Sequence, residues 1–188
     1  MATSASVNIT ADLVYSVTDT VGGNTSRLNE NIGYSRALVY GTGNAPTTTP
    51  SQVNLFAKTQ YTVAAGTTTD FDFTNIPYNT NGIEYTGTLD GGTLKGLVVT
   101  NDTNALGADI VLSSPATSGL SGVFGSGGSY TLHSLGCFTF ANIWGTHNVC
   151  STNKIMRATN SSSTDITLTA IFVGVNNGLT EATIPTPY

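Results

Sequence analysis

The chain has 188 residues, a net charge of −5 and charged side chains at only 9% of its positions. Its six basic residues are scattered rather than clustered, which disfavours binding to the phosphate backbone of nucleic acids. The sequence has no basic, apolar leader and no run near the roughly 18 apolar residues of a membrane span, so we expect a cytoplasmic product without a membrane partner.

Alternating apolar and polar residues, the pattern of strands with one buried face, recur along the chain. In TDFDF, for example, Asp70 and Asp72 are predicted to point one way while Phe71 and Phe73 point the other. Turn signals rich in Gly, Asn and Asp separate these stretches. The predicted strands are, in chain order, residues 7–17, 35–41, 51–63, 67–74, 93–101, 108–114, 129–142, 153–159 and 164–176.

Several segments depart from simple alternation. Residues 18–34 contain SRLNENIG, which favours a short helix, and residues 143–152 are too irregular to assign. Residues 75–82 are predicted to form a turn because of their Asn, Pro and Gly content. Residues 97–99 and 170–175 are apolar at consecutive positions, so we expect central strands that are covered on both faces.

These patterns predict one all-β fold. About eight or nine short strands without a 3.6-residue period favour an antiparallel β-sandwich of jelly-roll type. The domain organisation that we expect is an N-terminal segment with the first strand at 1–34, the β-sandwich at 35–178 and an extended C-terminal tail at 179–188. The tail ends in TIPTPY, whose prolines exclude a helix or a central strand.

The stretch GVFGSGGSY, residues 122–130, raises the question of a phosphate-binding loop. A P-loop requires a Lys after its last glycine, and the dinucleotide fingerprint requires a glycine where Tyr130 stands. Phosphate loops also lead into a helix, whereas SYTLHSL continues as an alternating strand. The stretch is therefore predicted to be a flexible connection between strands, and no nucleotide or other cofactor is expected.

Four residues, His133, Cys137, His147 and Cys150, have spacings that are compatible with zinc. On a strand, however, four residues separate two side chains by roughly 13 Å, too far to share a metal unless a bulge at Gly136 intervenes. We therefore expect no metal site, but instead buried free thiols and surface histidines.

No pattern indicates catalysis. Asp70 and Asp72 lack the further carboxylate or oxygen ligands that acid–base chemistry or calcium requires, so they are interpreted as solvated strand residues. A G-x-S-x-G nucleophile elbow is absent from the sequence. We expect a protein that is not an enzyme.

Two further sets of residues have ordinary explanations. N-glycosylation sequons begin at Asn8, Asn24, Asn101 and Asn160, as expected by chance in a chain rich in Asn, Ser and Thr. Aromatic rings that stack on sugars more often serve core packing or subunit contacts. The aromatic residues that could line a sugar-binding surface are Tyr78, Tyr85, Tyr130, Trp144 and Tyr188.

Five stretches in succession carry a resemblance to a known class of proteins: VNLFAKTQYTVAAGTTTDFDFTNI, TLKGLVVTND, ADIVLSS, GGSYTL and TDITLTAIFVGVN. Together they resemble small structural proteins of tailed-bacteriophage virions. Such proteins share an apolar run after a lone basic residue, a Gly-rich loop before a short strand, and a final strand that alternates Thr with apolar residues. The similarity runs roughly from Ser35 to Asn176, and the segment before Ser35 has no clear counterpart.

The resemblance implies a virion protein on the capsid surface, made in the host cytoplasm, that acts as a decoration or cement protein. Its implied partners are the major capsid protein and copies of itself, in a trimer or another symmetric oligomer. The low charge and proline-bearing loops independently favour permanent packing between subunits. The alternatives are a phage tail or fibre component and a carbohydrate-binding β-sandwich module.

The candidate contacts with neighbouring subunits lie in the 46–50 loop, the glycine-rich loop and the C-terminal tail. The residues that we predict to take part are Pro46, Pro50, Gly125, Gly127, Gly128, Tyr130, Pro185, Pro187 and Tyr188.

Overall fold

A computed structural model describes residues 6–21, 24–40, 52–53, 55–80, 83–142 and 147–175. These residues form fourteen strands and one short helix. The strands are β1 (Ser6–Val21), β2 (Asn24–Tyr40), β3 (Gln52–Val53), β4 (Leu55–Val63), β5 (Thr68–Asp72), β6 (Ile76–Thr80), β7 (Ile83–Gly87), β8 (Thr93–Asn101), β9 (Ile110–Ser113), β10 (Ser129–Leu132), β11 (Cys137–Ala141), β12 (His147–Asn148), β13 (Ile155–Asn160) and β14 (Ile166–Val175); the helix is α1 (Ser121–Phe124).

The N-terminal part is a long antiparallel hairpin. β1 and β2 pair in one unbroken register from Ser6 opposite Val39 to Val21 opposite Asn24, and β3 adds a short parallel strand beside β2. The short helix favoured in residues 18–34 is therefore wrong. Leu28 and Ile32 are four positions apart, a spacing that fits one face of a helix and also one face of a strand, and pairing with β1 selects the extended form.

Nine strands form two antiparallel sheets. One sheet has the order β11-β8-β14-β4, with β12 pairing beside β8, and the other has the order β10-β9-β13-β5. β11 and β12 pair with successive positions of the same side of β8, so they form one interrupted strand.

The strand order is that of a jelly roll. Along the chain the strands pair from the outside inwards: β4 with β14, β5 with β13, β8 with β11, and β9 with β10. These four pairs form one long antiparallel ribbon of two strands, in which the second half of the chain runs back along the first. The pairs β8·β14 and β9·β13 then roll the ribbon into two facing sheets. The predicted antiparallel jelly-roll sandwich is confirmed.

Alternation along the strands builds the core between the sheets. In β14, Leu168 and Phe172 are buried while Thr167 and Thr169 are half-buried, as expected of a strand with one inner face. Phe172 meets Phe73 of the facing sheet edge to face, with ring centroids 5.0 Å apart. Each such large apolar side chain contributes roughly 1.5–3 kcal/mol when buried. The core also contains Phe71, Leu89, Leu94, Leu97, Val99, Ile110, Leu112, Leu120, Leu132, Met156 and Ile166.

The central strands are only partly covered on both faces. Residues 172–175 are all buried, as predicted, whereas Val98 and Ile171 are half-buried on the outer face. Strands β8 and β14 are nevertheless the two central strands of their sheet, as the apolar runs indicated.

Two predicted elements are divided differently in the structure. The single strand expected at 129–142 is two strands in different sheets, β10 and β11, joined by a turn at 133–136 that crosses from one sheet to the other. The turn is closed by the amide of Gly136, which donates to the carbonyl of His133. Residues 75–82, expected to be a turn, contain strand β6, which pairs with β7.

Two buried asparagines organise the loops at one end of the sandwich. The side-chain amide of Asn160, 1% exposed, donates to the carbonyl oxygens of Val63, Ala64 and Thr164, and its oxygen accepts the amide of Ser162. Asn101, also 1% exposed, ends β8 in the same way. Its amide donates to the Ala108 carbonyl. Both asparagines belong to sequons, and the amide nitrogen that a glycan would need is buried and bonded.

We expect Asn160→Ala to lower the free energy of unfolding by about 2–4 kcal/mol, because it leaves several buried backbone groups without a partner. Chemical denaturation measures this effect. The exposed neighbour Ser163 provides the control, since Ser163→Ala should change stability by less than about 0.5 kcal/mol. Equal stability of the two variants would contradict the role assigned to Asn160.

Candidate functional site

The exposed large hydrophobic side chains of the described residues lie in two short segments. They are Leu106 (108% exposed), Leu135 (63%) and Tyr130 (45%). Leu106 belongs to the loop between β8 and β9, while Tyr130 and Leu135 belong to β10 and the turn that follows it. We call the surface formed by residues 104–109 and 130–135 the apolar patch.

Hydrogen bonds hold the two segments of the patch together. The Ser134 hydroxyl donates to the Thr103 carbonyl at 2.7 Å and accepts the Ala105 amide at 3.3 Å. His133 Nδ1 lies 3.0 Å from a carboxylate oxygen of Asp109. A shallow cleft of about 580 Å³ lies between the segments and is lined by apolar and polar residues of both. The patch is therefore a built surface in which two loops keep one relative position.

Leu135 adopts a backbone conformation that leucine rarely takes. Its φ is 57°, in the left-handed region where an L-residue with a Cβ costs roughly 1–2 kcal/mol. Its side chain is 63% exposed, so its packing on the described residues offsets little of this cost. Backbone strain that is not offset by packing of the same side chain is a reason to propose that Leu135 contacts another molecule.

An aromatic row lies beside the patch, between the edge strands of the two sheets. Phe138 of β11 is 5.3 Å from Tyr130 of β10 and 5.2 Å from Phe124 of α1, measured between ring centroids. Phe140 meets the ring of His147 edge to face at 4.8 Å. The row closes the gap between β10 and β11. Neither strand contains a charged residue or a proline, the usual protections of an exposed sheet edge.

The opposite side of the sandwich is charged. Arg157 of β13 binds the Asp70 carboxylate with two nitrogens, at 2.7 and 2.8 Å, and Lys154 lies 2.7 Å from Asp72. Phe71 and Phe73 are buried on the other face, as the TDFDF alternation predicted. The sequence predicts two solvated carboxylates, whereas each has a cationic partner, one on the neighbouring strand β13 and one just before it.

These ion pairs lower the pKa values of the two carboxyl groups. The hydrogen bond from Arg157 lowers the pKa of Asp70 below its ordinary value. Partial burial opposes ionisation of Asp72, but hydrogen bonds from Lys154 and Thr74 outweigh it, so the pKa of Asp72 is also lowered. Both acids are held ionised by structural partners, which is unlike an acid–base pair in which one carboxyl must stay protonated.

The glycine-rich stretch connects β9 to β10, as predicted. It includes the helical turn α1, and Gly125 and Gly127 adopt φ angles of 80° and 68°. A Cβ at Gly128 would overlap the carbonyl oxygen of Phe124, so only glycine fits there. The loop places Phe124 in the aromatic row.

Four of the nine predicted contact residues lie within the described part of the chain. Gly125, Gly127, Gly128 and Tyr130 are in or next to the loop that adjoins the patch. The remaining ones, Pro46, Pro50, Pro185, Pro187 and Tyr188, lie outside the described residues, as do the C-terminal tail at 179–188 and Trp144.

The histidines and cysteines are dispersed. His133 contacts Asp109, His147 packs on Phe140, and the thiols of Cys137 and Cys150 each lie 3.5 Å from a threonine hydroxyl. Within the described ranges no three His, Cys, Asp or Glu residues come together. Both cysteines are free, as expected, but they are exposed or half-buried rather than buried. In the same ranges no helix is long and apolar enough to cross a membrane.

We expect Asp72→Asn to lower the free energy of unfolding by up to about 1 kcal/mol at pH 7. Because the folded-state pKa of Asp72 is depressed, this stabilisation is present above the unfolded-state pKa and is lost as the pH falls through the folded-state value. The gap between wild type and variant should therefore close as the pH falls below the ordinary aspartate pKa of about 3.9. Urea titrations from pH 7 downwards, with Asp90→Asn at an exposed position as the control, measure it. A gap that is constant with pH would contradict the ion-pair account.

The chain matches no protein-family model, and comparisons with curated proteins and with solved structures likewise give no match.

Proposed function

We propose that this chain is a structural protein of a bacteriophage virion, a decoration or cement protein that binds the assembled head through its apolar patch. The observation that carries the proposal is the one-sided distribution of exposed apolar side chains. Leu106, Tyr130 and Leu135 lie in two segments that also contain the exposed Asp109–His133 pair, while the Asp70–Arg157 and Asp72–Lys154 pairs lie at the opposite edge of the sheet. Exposed large apolar side chains in neighbouring segments favour interaction with another molecule.

The composition supports permanent contact rather than transient encounter. Charged residues are only 9% of the chain, and the cores of lasting interfaces are depleted in charge and enriched in aromatic residues. Tyr130 and the neighbouring Phe138 supply such aromatic surface at the patch. A patch of this kind on a permanently free monomer would be an aggregation hazard, whereas a neighbouring subunit would cover it.

The fold is compatible with a virion role and with one alternative. Jelly rolls occur in viral capsid proteins and in lectins, so the fold alone does not choose between them. Carbohydrate-binding surfaces use aromatic rings that stack on sugars. Of the five aromatic residues that could serve this role, the described side chains include only Tyr130, and its ring packs against Phe138. The resemblance of residues 35–176 to virion proteins gives additional support to the virion role.

The proposed mechanism is linkage. A protein that binds the assembled shell, but not its separated subunits, adds interface free energy that is lost when the shell opens. When the free concentration of the protein is a hundred times its dissociation constant, binding stabilises the shell by about 2.7 kcal/mol per site. Many such sites on one particle raise its resistance to heat and internal pressure without any catalytic step. We propose no enzymatic role.

Substitution of Leu135 separates binding from folding. We expect Leu135→Asn to keep or raise stability by up to about 1 kcal/mol, because asparagine tolerates a positive φ better than leucine does. The same variant should bind decoration-free phage heads at least about tenfold more weakly, measured by co-sedimentation, because an apolar anchor is lost. Thr62→Asn, at an exposed position on β4, is the matched control and should bind like wild type.

Three outcomes would contradict this function. Equal binding by wild type and Leu135→Asn would remove the patch from the contact. Density for the protein only at the tail, in a cryo-EM map of the virion, would favour a tail or fibre component. Binding of the isolated chain to immobilised glycans, abolished by Tyr130→Ala, would favour a carbohydrate-binding module.

A further inference from the structure

We infer that β11 is the pairing edge of a two-fold dimer, in which β11 of one copy lies antiparallel to β11 of a second copy with Thr139 on the axis. The inference goes beyond the proposed role in a virion and does not depend on it. It concerns a backbone edge, whereas the apolar patch is formed by the side chains of the adjoining loops.

Hydrogen bonds on the β8 side show which backbone groups of β11 are available. The amide of Asn142 donates to the Lys95 carbonyl at 2.8 Å, and the amide of Asn101 donates to the Gly136 carbonyl at 3.0 Å. Bonding alternates along an antiparallel pair. Residues 136, 138, 140 and 142 therefore face β8, and residues 137, 139 and 141 direct their N–H and C=O groups away from it. No strand among the described residues pairs with that outer edge.

The strand is self-complementary in register. An antiparallel copy centred on Thr139 places Cys137 of each chain opposite Ala141 of the other and Thr139 opposite itself. These are the three residues whose backbone groups point outward, so the pairing satisfies every outward N–H and C=O of both strands. A register shifted along the strand leaves some of them unpaired.

The side chains suit the same register. On the outer face Thr139 meets Thr139 of the second copy, and on the inner face Phe138 meets Phe140 of the second copy. Threonine pairs and aromatic pairs directly opposite one another are favourable in antiparallel sheets. Cys137 and Thr139 are exposed, so their side chains are free to meet another molecule.

Charge favours a second copy as the occupant. The segment Cys137–Ala141 carries no charged residue, so an identical strand can approach without like charges meeting. Of the other edge strands, β10 is also uncharged but has only four residues, whereas β4 contains Lys58 and β5 contains Asp70 and Asp72, which form ion pairs with Lys154 and Arg157. Charged residues are a usual device against edge-to-edge pairing. β11 lacks that device, and a two-fold contact uses the same surface on both subunits.

The test is sedimentation equilibrium of the purified full chain. Wild type should sediment as a dimer with a measurable dissociation constant. Thr139→Pro removes the outward N–H without touching the β8 ladder, since edge strands accept proline on their solvent side. We expect the dissociation constant to rise roughly ten- to a hundredfold, the effect of losing the two central hydrogen bonds. Thr139→Val keeps the N–H and the strand propensity, and should remain dimeric.

A second variant tests the dimer even if Thr139→Pro does not fold. Thr139→Lys keeps the backbone donor but places two like charges opposite each other, so it should weaken the dimer, and more so at low salt. Circular dichroism and thermal melts confirm that each variant is folded. Monomeric wild type, or a Thr139→Pro protein that is folded and as dimeric as wild type, would overturn the inference. These results are independent of head binding by Leu135→Asn, so either proposal can fail alone.

Discussion

The pairing of β14 with β8 is the interaction on which the rest of the structure depends. These strands are far apart in the chain, and their pairing rolls the folded ribbon into two sheets. It brings Leu168 and Phe172 beside Leu97 and Val99 in one buried layer. Such long-range closure carries an entropic cost that the buried layer must offset. The alternation of threonine and apolar residues in β14 helps to offset this entropic cost, because every second side chain is buried in the core.

The distribution of surface chemistry follows from that arrangement. Rolling the ribbon places β4 and β5 on one side and β10 and β11 on the other. Asp70 and Asp72 of β5 form ion pairs with Arg157 of β13 and with Lys154 just before it, whereas aromatic rings pack between β10 and β11. Asn101 and Asn160 then fix the loops at one end, which includes the loop that carries Leu106. If β11 pairs with a second copy, the dimer presents two apolar patches, and a bivalent particle contact gains affinity through effective concentration.

Local patterns explain which parts of the fold were predictable. β8 was predicted at residues 93–101, as found, because alternation and flanking glycines both mark it. The second part of β2 lies in the strand predicted at 35–41, but its first part was missed because SRLNENIG contains helix formers, and only pairing with β1 selects a strand there. The break between β10 and β11 was missed because the turn depends on the left-handed backbone of Leu135, which no local signal indicates. The patch had only Tyr130 as a predicted member, since in a sequence Leu106 and Leu135 are indistinguishable from core leucines.

Our central proposal is that the protein binds phage heads through one side of the jelly roll, the side that carries the apolar patch. Hydrogen–deuterium exchange, compared between the free protein and the protein bound to phage heads, tests it most directly. We predict that binding slows exchange in residues 104–109 and 130–136 and leaves β5 unchanged. Protection confined to β4 and β5, with unchanged exchange in the patch, would contradict the account.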